Sequence, residues 1–302
     1  MLGSERLTAI ILSIVMLIAV MLSAVVRDMQ GEERELSRIE VLQPHKTPPR
    51  GIEYESLEAM NNPKEFSIVQ KLNEDTESTY SPFTYKYYFH NEALKGKTCA
   101  YGIDVSSRQG AVNWLLCRND GVEFAFLRAG SRGYTEGGIF EDAMFDANAA
   151  AANTVGVRIG AYFYSQATNV EEIIEEANVI IRRVKGYDID LPLVLDFEYA
   201  DVEGRVGGRL YEANLSVEEA TAMCLAFCDT IRAAGYEPAV YANSFMLNNR
   251  LDAERIAQEC DIWIAYPDVT NPYEGEYTYW QYTWTGKIDG IKGSVDCNFW
   301  YK

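Results

Sequence analysis

The sequence predicts an α/β protein built as an incomplete barrel, behind an N-terminal transmembrane helix and a stalk. Three observations predict it. From Tyr101 onward, short apolar strands alternate with amphipathic helices, the pattern of a parallel sheet. The C-terminal stretch then drops the helices and keeps only strands, Tyr277–Thr285 and Ser294–Trp300. Before all of this, Leu7–Val26 runs for 20 residues without a charge.

Leu7–Val26 contains only Thr8, Ser13 and Ser23 as polar residues. As a helix it reaches ~30 Å, the thickness of a bilayer core. A cleaved export signal has a shorter apolar region and a small-x-small exit. Here a cut after Ala24 would put the bulky Leu22 at a position that should be small, so residues 1–27 read as an uncleaved anchor. One arginine (Arg6) precedes the span and three (Arg27, Arg34, Arg38) follow closely, a count that does not favour an exported C-terminus. Orientation therefore has to come from function.

Residues 28–98 read as a stalk without sustained periodicity. Gly31–Leu42 carries a short charged helical pattern, and Gln43–Gly51 is extended and stiffened by proline. Tyr80–His90 concentrates Tyr80, Tyr85, Tyr87 and Tyr88 with Phe83 and Phe89, a set suited to padding the flank of the next domain.

Residues 99–302 form the main domain. Tyr101–Val105 is the first strand and ends at Asp104; Val122–Arg128 is the second, closing at Arg128. Phe140–Asn153 reads as a helix and Gly160–Tyr164 as the third strand. Thr168-x-x-Glu171 reads as a capping box opening a helix with the stripe Val170, Ile173, Ile174, Ala177, Ile181 and Val184, stopped by Gly186. Leu191–Glu198 (LPLVLDFE) is a strand apolar on both faces. Tyr199–Leu215 is a glycine-rich insertion. Ser216-x-x-Glu219 opens a helix ended by Gly235, followed by strand Pro238–Ala242, helix Ala253–Gln258 and strand Ile262–Ala265.

The LPLVLDFE strand carries the first chemical signal. Side chains two apart on a strand leave the same face, so Asp196 and Glu198 point one way with Cα atoms ~6.5–7 Å apart. Paired acids at a buried strand end are costly to desolvate and resist joint ionisation. A DxE alone fits a strand running into a solvated loop as well as the two carboxylates of glycosidic bond cleavage. Asp104, Arg128 and Asp296 also fall at strand ends, and in α/β barrels the chemistry sits at the C-terminal strand ends.

Composition excludes several classes. The hydrophobic share of 48% and aromatic share of 12% belong to an ordered protein. The net charge of −18 opposes binding to nucleic acid and to anionic lipid surfaces. The only two histidines, His45 and His90, precede the main domain, so it holds neither a histidine zinc site nor a Ser-His-Asp triad. The six cysteines lack metal-type CxxC spacing. Cys224 and Cys228 share a helical face as small core residues. With parallel first and last strands, Cys99 and Cys297 would lie ~15 Å apart, beyond disulfide reach, so no structural disulfide is expected in these pairs.

In this order the motifs resemble glycoside hydrolase family 25, the lysozymes or N-acetylmuramidases. Gly102-Ile103-Asp104-Val105-Ser106 with Gln109-Gly110 and Trp114 resembles the family's first strand and turn. Asp142, Phe145, Asn148, Ala152, Gly156, Gly160, Ala161 and Tyr162 resemble its second helix and third strand. Asp196-Phe197-Glu198, Tyr241-Ala242-Asn243, Trp263-Ile264-Ala265, Trp280-Gln281-Tyr282 and Val295-Asp296-Cys297-Asn298 complete the match over 100–302. Tyr162-Phe163-Tyr164 departs from the many relatives with His after the first tyrosine.

The resemblance implies an irregular TIM-like (β/α)5(β)3 barrel cutting the β-1,4 bond between MurNAc and GlcNAc, with peptidoglycan strands as partner. It makes Glu198 the general acid, with Asp196 stabilising the oxocarbenium or orienting the substrate's N-acetyl group. It makes Asp104 and Asp296 ordering carboxylates, without metal or cofactor. Tyr162, Arg128, Tyr241, Trp263, Trp280 and Gln281 become candidate substrate contacts, the aromatics fitting barrel core equally well. The expectation is a single-pass membrane protein facing the cell wall, its stalk setting its reach, serving for instance envelope-spanning machinery. A chitinase-type glycosidase is the other enzymatic reading, but Leu193-Val194-Leu195 stands where its acidic run belongs. A catalytically silent glycan-binding scaffold is the third.

Overall fold

The computed structural model describes residues 70–71, 78–81 and 86–302. The apolar span Leu7–Val26 and the stretch Gln43–Gly51 lie outside them. Among the described residues, no helix is long and apolar enough to cross a membrane.

Three short strands come first, β1 (Gln70–Lys71), β2 (Ser78–Ser81) and β3 (Lys86–Phe89). Then follow β4 (Thr98–Val105), α1 (Trp114–Asn119), β5 (Phe124–Arg132), β6 (Ile139–Glu141), α2 (Phe145–Val155), β7 (Arg158–Ser165), α3 (Val170–Val184) and β8 (Leu193–Phe197). The expected insertion is a small hairpin, β9 (Ala200–Val202) and β10 (Arg205–Gly207), with one helical turn, α4 (Arg209–Glu212). The chain continues through α5 (Val217–Ala233), β11 (Pro238–Asn243), α6 (Ser244–Asn249), α7 (Ala253–Ala257), β12 (Asp261–Ala265), β13 (Tyr279–Gly286) and β14 (Val295–Tyr301).

Eight strands close into a ring in the order β4, β14, β13, β12, β11, β8, β7, β5, with β5 returning to β4. All neighbours are parallel except β14, which runs antiparallel to both β13 and β4. The Cys99–Cys297 expectation assumed parallel strands; these two run antiparallel, with Cys297 opposite Ile103 and Cys99 opposite Tyr301. Cys228 and Cys260, a pair not weighed from the sequence, bring their Sγ atoms within 3.0 Å as thiols.

Two cores follow from the alternation of strand side chains. Leu193, Leu195 and Phe197 face outward into a core shared with Ile173, Phe227 and Ile231 of the helices. Val194 faces inward with Phe124, Phe126, Tyr241, Trp263 and Tyr279. Each fully buried large side chain stabilises the fold by about 1.5–3 kcal/mol. Two glycines make room for the interior rings. A Cβ on Gly102 would lie 2.5 Å from the Phe124 ring, and one on Gly160 would lie 2.5 Å from the Pro192 carbonyl oxygen and 2.7 Å from Phe126.

Several local expectations shift. Phe140 lies in β6, paired antiparallel with the end of β5, because a hairpin there satisfies backbone groups that an early helix would leave unpaired. Asn169 rather than Thr168 caps α3, its side chain accepting from Glu172 N–H, while Glu172 accepts from Thr168 N–H at 2.9 Å. The buried stripe of α3 is rotated accordingly, with Ile180 inside and Ile174 exposed. The Ser216–Glu219 capping box forms as expected. Of the aromatic stretch before β4, Tyr88 is buried against Trp280, Tyr282 and Phe299, and His90 bonds the Tyr301 hydroxyl at 2.7 Å.

Candidate active site

The acids collect at one mouth of the barrel because three of them lie where β4 and β8 end and the fourth where antiparallel β14 begins. Asp104 is the penultimate residue of β4, Asp196 that of β8, and Glu198 follows β8 directly. Asp296 enters from the opposite chain direction, as the second residue of antiparallel β14, in register with Asp104.

Asp104 is the most tightly held. Its Oδ2 accepts from Gln281 Nε2 at 2.9 Å and from Asn298 Nδ2 at 2.8 Å. Both amides are fixed in turn. Asn298 accepts from Trp263 Nε1 at 2.9 Å, and Gln281 Oε1 accepts from the Tyr241 hydroxyl at 3.0 Å and from Trp284 Nε1 at 2.8 Å. Burial raises Asp104 to about 6 against the pull of these two donors.

Asp196 sits between Tyr164 and Tyr241 on the neighbouring strands. Burial first, then Glu198 and Asp104, push its pKa well above the carboxylate range. Its Oδ1 is buried without a hydrogen-bond partner. Glu198 is raised to about 7, chiefly by burial, while a hydrogen bond from the Asn243 side chain and the nearby Arg108 lower it and Asp104 raises it. Burial and Asp104 do the raising, and Asp196 does not, because it resists ionisation itself. The Glu198 backbone is anchored too, its carbonyl accepting from Gln166 Nε2 at 2.9 Å. Asp296 is pushed up to about 8 by burial and by Asp104.

The other expected contacts divide by strand face. Tyr162 and Tyr241 meet the Trp263 ring edge-on at 6.2 and 4.7 Å, and Trp263 stacks on Phe126 at 4.5 Å, so Trp263 floors the cleft from inside the barrel. Gln281 faces the acids. Trp280, its neighbour, leaves the opposite face, fully buried against Tyr88 and Phe299 with Nε1 donating to the Tyr266 carbonyl, and does not reach the cleft. Arg128 pairs with Asp142 at 2.7 Å and bonds Ser107 at 3.0 Å, which fixes the loop after β4.

Four residues had no role assigned from the sequence: Asn243, Asn298, Trp284 and Arg108. Strand alternation marks the first two, since Asn243 lies two beyond Tyr241 and Asn298 two beyond Asp296. Trp284 carries no such mark. A bulge between Gln281 and Thr283 breaks the period and lets its half-exposed indole return to Gln281.

A clustered set of raised carboxyls at the C-terminal mouth of an α/β barrel is the arrangement for protonating a leaving oxygen. The model of "Glycosyl hydrolases family 25" matches residues 103–291. The chain belongs to this family. This family 25 chain is 29% identical over 206 residues to Lysozyme M1 of Streptomyces globisporus, covering 65% of this chain and 66% of that one. It is 26% identical over 196 residues to the autolytic lysozyme of Clostridium acetobutylicum, covering 65% and 54%. The chain thus spans less than two thirds of the length of either lysozyme. A family 25 glycosyl hydrolase from Bacillus anthracis superposes with a TM-score of 0.56 at 25% identity, covering 72% of this chain and 94% of that structure.

Proposed function

We propose that this protein is a membrane-anchored peptidoglycan hydrolase that cleaves the β-1,4 bond between MurNAc and GlcNAc. The four-carboxylate cluster, within a chain of family 25, carries this reading. Glu198 is the general acid: a carboxyl held near 7 keeps its proton in about half of the molecules at neutral pH yet gives it up readily. In the free cleft burial and the neighbouring Glu198 and Asp104 favour a protonated Asp196. A substrate N–H donated to its unpartnered Oδ1 favours the charged form, so binding moves the proton toward Glu198, where the leaving oxygen needs it. Asp196 then stabilises the developing positive charge or orients the N-acetyl group. Asp104, clasped by two amides, keeps the field negative around that charge beside a largely protonated Asp296.

Leu7–Val26 supports the anchor, and the substrate assigns the orientation, with the barrel facing the wall. A tethered hydrolase opens the wall locally, as an envelope-spanning assembly requires. Protease shaving of intact cells tests the orientation, since loss of the barrel with the N-terminus spared supports it.

The activity test compares the full chain in detergent with Glu198→Gln on insoluble peptidoglycan, with released fragments reduced and read by mass spectrometry. Reducing-end MurNAc from the wild type alone is the expected result. Reducing-end GlcNAc moves the cut to the other glycan bond. Binding by both proteins without release establishes a scaffold.

A further inference from the structure

Beside the acids stands a feature the proposed chemistry does not use. Tyr199 follows Glu198 directly, and its ring meets Tyr211 edge-on at 5.2 Å and Phe245 at 6.4 Å. Tyr211 and Phe245 are 49% and 55% exposed. Phe245 lies two residues beyond Asn243, which bonds Glu198, so the shelf is continuous with the cleft along both chain segments. Arg250 braces the Tyr199 ring, its guanidinium carbon 6.0 Å from the centroid.

The shelf is built rigidly. Arg209, two residues before Tyr211, donates to Glu172 through both terminal nitrogens at 2.8 Å and to the Gln166 carbonyl at 2.9 Å. Gln166 in turn holds the Glu198 carbonyl. The rings are thus tied to the backbone of the proposed acid. Fixed, exposed aromatic faces lose little entropy on binding, and they match the C–H faces of a pyranose while leaving its hydroxyls in water.

We propose that the Tyr199–Tyr211–Phe245 shelf is a glycan subsite that holds a sugar ring of the strand away from the bond being cut. The proposal deepens the hydrolase reading and rests on it for the identity of the polymer. Continuity with the cleft favours the strand over its peptide stems.

The test measures binding in a Glu198→Gln background, where no cleavage occurs, using full chain in detergent. The probes are peptide-free glycan strands and intact peptidoglycan, with and without Tyr211→Ala/Phe245→Ala. The expected result is about a tenfold loss of affinity for both probes, rescued by Tyr211→Phe in place of Tyr211→Ala. Equal affinity of both proteins for both probes overturns the proposal. A loss on intact peptidoglycan alone overturns it too and assigns the shelf to stem peptides. Failure of the wild type to release fragments, with shelf-dependent strand binding intact, defeats the hydrolase reading and leaves the subsite standing.

Discussion

Asp104 and Asp296 stand directly opposite each other across the antiparallel pair that closes the barrel. Like charges in that position destabilise a sheet. The strain is resolved unequally: Asp104 receives two amide hydrogen bonds, and Asp296 is raised to about 8.

This inequality sets the pH dependence of stability. A carboxyl raised in the folded state contributes stability that is full below its unfolded pKa of about 3.9 and lost as pH rises through its folded value. The window for Asp296 therefore runs from about 4 to about 8. Calorimetry should show the wild type melting at higher temperature at pH 5 than at pH 8. Asp296→Asn should flatten that slope and stabilise the protein at pH 8 by about 1–3 kcal/mol, while lowering activity.

Glu198→Gln should reduce turnover by about 10²–10⁴-fold with the fold intact by circular dichroism. For the wild type, kcat/KM should fall as pH rises past about 7, where Glu198 loses its proton. Asn243→Asp keeps the cap on Met246 N–H but replaces the donor to Glu198 with a like charge. Both changes raise Glu198, so the alkaline limb should move to higher pH.

Gln281→Leu deprives Asp104 of a donor and leaves the Tyr241 hydroxyl without its acceptor. A loss of about 1–3 kcal/mol in denaturant unfolding is expected, together with a large drop in activity. Trp284→Phe removes only the indole donor to Gln281 from an exposed site and should cost far less stability.

Arg209→Ala cuts the hairpin's link to Glu172 and Gln166. Limited proteolysis should then cleave within residues 199–215 faster than in the wild type. The melting temperature should fall modestly as well, because the pair is only about a fifth exposed and the change leaves Glu172 without its bidentate partner.

The barrel was legible where pattern and packing agree. Leu191–Glu198 reads as a doubly buried strand and its Leu193–Phe197 portion is one, and Ser216 with Glu219 forms the box its spacing predicts. The shifts in α3 have a tertiary cause. Glu176 faces inward to meet Arg132 at 2.6 Å, which no apolar periodicity announces. At the site, the acids could be read from strand ends, but adjacent Trp280 and Gln281 cannot both face one cleft. Which of them does is decided by Asp104, far away in the chain. Trp284 escaped because a bulge breaks the period that would have marked it.

The register of β14 on β4 also fixes when the chemistry arrives. A chain made from its N-terminus presents Asp104, Asp196 and Glu198 well before Gln281, Asp296 and Asn298 exist. Until β13 and β14 are in place, Asp104 lacks its two amide donors and the cluster lacks a member. The four-acid site is thus assembled only when β14 closes the ring.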